Sequence, residues 1–135
     1  MILELENLLV STLGDEYGGD DVKVEAWPED VSEYTFRSKV ASVLIRYDGA
    51  EFARPDGAEV IRQMMNPAFL VITGVRDLRT HSGAYAIMDR NRNAIVGLEY
   101  KHRLFYAVRE GLIERNENVW LYGQLFAIGV AARQL

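Results

Sequence analysis

The sequence predicts an α+β domain: a mainly antiparallel sheet with an N-terminal helix and a long central helix packed on it. Three observations predict it. The run Phe69-Leu70-Val71-Ile72-Thr73-Gly74-Val75 is almost continuously apolar and rich in β-branched residues, the pattern of a strand covered on both faces. Residues 82–98 then place Ala84, Ile87, Met88, Ile95 and Leu98 at three- and four-residue steps, so these side chains share one helical face. Asp89, Arg90, Asn93 and Glu99 fall on the opposite face. Finally, two apolar runs flank Asn116-Glu117-Asn118, which reads as a hairpin.

The elements follow in order. Residues 2–17 predict a helix, because Ile2, Leu5, Leu9 and Leu13 form one stripe with Leu8 beside it. Gly18-Gly19 is its stop, since glycine accepts the left-handed geometry that ends helices. Residues 22–27 alternate apolar and charged side chains, as a half-exposed strand does, and Pro28-Glu29-Asp30 ends it. Residues 31–37 read as a loop carrying Tyr34 and Phe36. Residues 40–47 form the next strand, closed by the turn dipeptide Asp48-Gly49. A further extended piece is expected over 50–53, and Arg54-Pro55-Asp56-Gly57 is a second turn. An extended segment over 60–65 leads into the strand at 69–75. Pro67 lacks an N–H, so a break, bulge or edge position is expected there.

After the central helix, residues 97–103 form a connection with the small basic cluster Lys101, His102 and Arg103. Residues 104–115 read as extended chain, and 119–130 as the last strand. Within it Trp120, Tyr122, Phe126, Ile128 and Val130 alternate onto one face, with Gln124 as the polar exception.

A chain of 135 residues suits a single domain, 1–135. It has no cysteine, so disulfides, thiolate metal sites and cysteine nucleophiles are all excluded. The net charge of −5 gives no general attraction to nucleic acid or anionic membranes. Met1-Ile2-Leu3-Glu4-Leu5-Glu6 is acidic where a secretory signal needs basic residues, and no apolar run approaches bilayer-spanning length.

No chemistry-bearing constellation emerges. His81 and His102 are isolated from any metal-ligand spacing. Ser82-Gly83 lies outside any nucleophile elbow, and Gly74 and Gly83 are too isolated for a phosphate-cradling loop. Asp77 reads as a turn residue and Asp89 as part of a solvated helix face. Arg76, Arg79, Arg90, Arg92, Lys101, His102 and Arg103 are the basic concentration, interleaved with Asp77, Asp89 and Glu99. The expectation is therefore a non-enzymatic protein with no catalytic, cofactor or metal site. Contacts between chains are expected first at Arg76, Arg79 and Arg90. Two other readings remain open. A small ligand-binding or regulatory domain would show one enclosed apolar pocket. An enzyme with dispersed site residues would show perturbed titrating groups meeting in a cleft.

The order of three segments carries a resemblance: Val43-Leu44-Ile45-Arg46-Tyr47-Asp48-Gly49, then Gly83-Ala84-Tyr85 with Met88-Asp89-Arg90, then Val119-Trp120-Leu121-Tyr122. In that order the chain resembles the Mu-like bacteriophage tail terminator and neck protein family. The resemblance implies a tail-terminator-like fold and a structural role in a phage or prophage particle, without catalysis or cofactor. It implies a ring, commonly of six subunits, that caps the tail tube. It also implies partners: further copies of the chain, the tail tube protein, and a neck or head-completion protein. DNA would meet it only by passage through the lumen, and no membrane is involved. The implied location is the virion tail, assembled in the host bacterial cytoplasm.

Overall fold

A computed structural model describes residues 1–28, 41–55, 62–76, 79, 83–116 and 119–133. The apolar run at the centre of the sequence becomes the central strand, β3 (Met64–Val75). On one side it pairs antiparallel with β2 (Ala41–Phe52), which pairs in parallel with β1 (Val22–Ala26). On the other side it pairs antiparallel with β7 (Val119–Ala127), which pairs with β6 (Tyr106–Asn116). The strand order is β1-β2-β3-β7-β6, with β8 (Val130–Ala131) beside the start of β3. An N-terminal helix and a mainly antiparallel sheet are thus present as the pattern predicts.

Two helices cover one face of this sheet. α1 (Ile2–Glu16) buries Leu5, Leu9 and Leu13 completely. α2 (Ala84–Ile95) buries Ala84, Ile87, Met88 and Ile95. Beneath them lie Val43 and Ile45 of β2, Phe69, Val71 and Val75 of β3, and Phe126 of β7. These alternate along their strands and share registers, so the pleat delivers them to one side. Phe69 sits among aromatic neighbours, 5.6 Å from Tyr47 and 6.5 Å edge-on from Phe105, ring centre to ring centre.

The central helix is not long. It spans twelve residues, ending at Ile95 instead of Leu98. Val96 turns extended (φ −64°, ψ 120°), and Gly97 takes φ 87°, which reverses the chain. The Gly97 N–H donates to the Phe105 carbonyl, and the Phe105 N–H donates to the Leu98 carbonyl. Leu98 reaches the core from this reversal and not from a helical turn. Between them β4 (Glu99–Tyr100) and β5 (Arg103–Leu104) make a two-residue hairpin, with Lys101 and His102 both at positive φ.

Three further expectations change. Asp48-Gly49 is not a turn between strands: β2 runs through it as a bulge, with Gly49 at φ 104° and the register shifting between Tyr47 and Gly49. Pro67 does not interrupt β3, where it stands opposite Ala50. Its carbonyl accepts from the Ile128 N–H, so its absent N–H points toward the same neighbour. That neighbour breaks its own ladder there, between the end of β7 at Ala127 and the start of β8 at Val130. The break sits in the partner strand, and the expected single strand 119–130 becomes two. The loop at 31–37, with Tyr34 and Phe36, lies outside the described residues, as do Asp56, Gly57 and Asp77.

One polar cluster is sealed between the layers. Asn91 is fully buried on the apolar face of α2. Its amide nitrogen donates to Thr73 Oγ1 (3.2 Å) and Gln124 Oε1 (3.0 Å). Its oxygen accepts from the Tyr17 hydroxyl at 2.6 Å. Gln124 in turn donates to the Met88 carbonyl and to Glu110 on β6. Every member has partners, which is the condition for a buried network to stabilise. Burial pushes the Tyr17 phenol well above its ordinary pKa, with the Arg90 charge opposing, so it remains a donor.

Two outcomes follow. Asn91→Ala strands the Gln124 and Thr73 oxygens and should lower stability by about 2–3 kcal/mol in urea unfolding, with the sheet intact by circular dichroism. At the helix–hairpin contact the Tyr100 hydroxyl donates to Glu4 at 2.7 Å, and this bond, then the N-terminal charge, holds the Glu4 pKa below its ordinary value. A depressed carboxylate contributes above its unfolded pKa and loses that contribution as pH falls through the folded value. Tyr100→Phe should therefore lower the melting temperature at about pH 7 and leave it unchanged at about pH 3.

Candidate assembly surface

Both helices lie on the same side of the sheet, and no described element covers the other side. Yet that side is apolar where the central strands meet. Leu44, Leu70, Ile72, Leu121 and Leu125 point to it by register. Leu44 and Ile72 are buried by their neighbours, whereas Leu70 is half-buried. The β3 run carries the sequence pattern of a doubly covered strand, and the described residues supply one full cover.

The incomplete cover leaves a half-open groove of about 600 Å³, lined by Trp27, Arg46, Leu70, Ile72, Ile113 and Leu121 among others. Its floor is shaped by Gly123. A Cβ there would stand 2.8 Å from Ile113 Cδ1 and 3.2 Å from Leu70 Cδ1, so the glycine is what lets Ile113 fold across β7 toward β3. The mixed lining, with Arg46, Arg109, Glu110 and Glu114 at the walls, differs from an enclosed apolar ligand pocket.

The wall of the groove is β6, an eleven-residue strand on the sheet edge. Tyr106, Val108, Leu112 and Ile113 on it are 43–53% exposed. Two register shifts against β7 leave Val108 and Ile113 as extra residues. Bulges and charged side chains are among the devices that blunt an edge strand; β6 has both bulges and Arg109, Glu110, Glu114 and Arg115, but no lysine or proline. On the helix side β6 is fixed through Glu110, which accepts from Gln124 and from Arg92 Nε at 3.0 Å.

The three arginines expected at chain contacts do not form one cluster. Arg76 is exposed at the end of β3. Arg79 lies 5.9 Å over the Tyr85 ring, which meets Tyr122 edge-on at 6.3 Å. Arg90 instead binds within the chain. It reaches Glu16 at 3.1 Å and Asp20 at 2.9 Å, donates to the Glu16 carbonyl, and lies 4.3 Å over the Tyr17 ring. Partial burial pulls its pKa down, but Asp20 and Glu16 outweigh this and hold it above the ordinary arginine value. Arg92 is similarly taken up by Asp89 and Glu110. The basic concentration of the sequence is thus partly neutralised by acids remote in the chain.

Among the described residues no group of three or more His, Cys, Asp or Glu is placed to hold a metal ion, and no helix is long and apolar enough to cross a membrane. His102 is 97% exposed on the two-residue turn, 3.9 Å from Glu99; His81 and Ser82 lie outside the described residues.

Sequence reasoning missed the groove and the β6 edge. A signal for the edge was present: the run from Tyr106 to Ile113 places apolar residues on both faces of the strand and not on one. It also missed Asn91, although Asn91 follows Ile87 by four residues and precedes Ile95 by four, squarely on the apolar stripe.

A family model described as Gp37 protein matches residues 12–133. No curated protein matches the chain.

The split among the arginines is measurable. Arg90→Ala should cost about 1 kcal/mol in urea unfolding, through the lost ion pairs and ring contact. Arg79→Ala should stay within about 0.5 kcal/mol of the parent, as exposed substitutions do.

Proposed function

The chain belongs to the Gp37 protein family, a phage-related family, and on that premise we propose that it is a structural, non-enzymatic tail-terminator-like protein. Copies close into a ring, hexameric in the reading favoured here, that caps the tail tube and takes part in the head–tail joining region. A ring of this kind is built from heterologous contacts that close by rotation. Its partners are its own copies, the tail tube protein and a neck or head-completion protein, with DNA passing through the lumen. It works in the virion tail after assembly in the bacterial cytoplasm. Family membership supports the structural phage role, and the ordered resemblance to tail terminators supports the cap. The apolar sheet face that no described element covers supports it, because a half-open apolar surface is suited to completion by another protein.

The helix-free face is the assembly surface in this reading. Arg79, exposed just past β3 and lying over the Tyr85 ring, is where a contact between chains is placed in this reading, beside the exposed Arg76. Arg90 contributes indirectly, by holding the end of α1 against α2. The half-open, mixed-polarity groove favours a protein surface over a small ligand, which would ask for deeper enclosure.

Electron microscopy of tail tubes incubated with the protein tests the proposal. The expected image is a ring seated on tube ends. Ile113→Glu places a charge in the groove and should reduce tube-end occupancy about tenfold or more while the protein stays folded, since truncating a central apolar contact commonly costs over 1 kcal/mol. Tube ends that stay bare at saturating protein would sink the reading.

A further inference from the structure

We propose that in solution a second copy of this chain covers the exposed edge of β6 by antiparallel, two-fold pairing centred on Gly111. The inference does not rest on the ring reading: this contact is isologous, whereas a ring contact is heterologous.

β6 is eleven residues long, without lysine or proline, and among the described residues it pairs only with β7. Its apolar side chains on both faces are half-exposed. An edge of this kind presents a row of unpaired backbone groups and templates pairing with another chain.

The identity of the cover comes from the register. Leaving out the two extra residues Val108 and Ile113, β6 has nine positions that stand opposite partners on β7: Tyr106, Ala107, Arg109, Glu110, Gly111, Leu112, Glu114, Arg115 and Asn116. Gly111 is the fifth of the nine. A two-fold axis through Gly111 sets residues equidistant from it against each other. Arg109, two positions before, then faces Glu114 of the second copy, two positions after, and the symmetric pair forms as well. Both side chains belong to the helix-free face, because Arg109 stands opposite Leu125 and Glu114 opposite Leu121. Both are exposed, and neither makes an ion pair within the chain among the described residues. Opposite charges placed directly across two strands stabilise the pairing, and like charges there oppose it. The bulge at Ile113 creates the match; in an unbulged strand the position symmetric to Arg109 would be Ile113.

At the axis, glycine meets glycine. An added Cβ on Gly111 would find nothing within 4 Å, so the sheet face above the axis is open and a side chain can be introduced there. The apolar side chains of Val108 and Ile113 lie beside the charged pairs and lose exposure in the paired form.

The test uses the full chain. Sedimentation velocity should show a reversible dimer. Arg109→Glu puts like charges opposite each other twice and should raise the dimer dissociation constant about tenfold or more. Glu114→Arg should do the same, and the double exchange R109E/E114R should restore pairing. Because the protein has no cysteine, Gly111→Cys gives a second, geometric readout. A residue on the axis faces its own copy at a Cα separation that a disulfide spans, so mild oxidation should give covalent dimers, suppressed by R109E. A monomer at all concentrations, a dimer indifferent to R109E, an exchange that fails to restore it, or no crosslink at Gly111→Cys would each overturn the proposal. Bare tube ends in the capping experiment would leave it standing.

Discussion

The position of α2 over the sheet depends on one buried amide. Asn91 has no water to turn to, so its nitrogen and oxygen must be met by protein groups. They are met by residues of three separate elements: Thr73 on β3, Gln124 on β7, and Tyr17 just past α1. An apolar residue in its place would let the helix slide or rotate over Leu, Ile and Phe side chains at small cost. The amide makes one placement satisfied and its neighbours unsatisfied. The chain of bonds then continues from Gln124 to Glu110 and on to Arg92, so the same device that seats α2 also ties down β6. The edge strand is therefore held on its helix side and bare on the other.

That asymmetry organises the surface. Among the described residues, two helices cover one face of the sheet thoroughly. The other face keeps Leu70 half-buried in a groove walled by β6. Gly123 and Gly111 stand opposite each other across β7 and β6, and the space that Gly123 leaves admits Ile113. Burial, groove and edge are one consequence of placing all helical cover on one side.

Much of the fold was legible because periodicity reports burial. The stripe of Leu5, Leu9 and Leu13 and the alternation ending in Phe126 point where the core lies. What escaped was set by partners far away in sequence. The end of α2 was drawn three residues too far because Leu98 continues the apolar spacing; its burial comes from pairing with Phe105 across a tight reversal. Asp48-Gly49 has turn chemistry, but its glycine serves a bulge inside a longer strand. Pro67 signalled a ladder defect correctly and its location by one strand incorrectly. The polar residues Asn91 and Gln124 were readable as exceptions on apolar faces, but their pairing with each other needed the third dimension. The candidate surface was the least legible, because exposed apolar residues on an edge look like core residues when only the order of letters is known.

The Tyr17–Asn91 and Glu4–Tyr100 contacts join residues 74 and 96 positions apart. α1 precedes both partners in the chain, so its seat is completed only when α2 and β4 have emerged. At ordinary translation rates that interval is on the order of ten seconds. For that time Leu5, Leu9 and Leu13 can rest on the strands that follow them, but not on α2. A helix that precedes the whole sheet in the chain is thus among the last to be fully seated, and its apolar stripe stays partly open until α2 arrives.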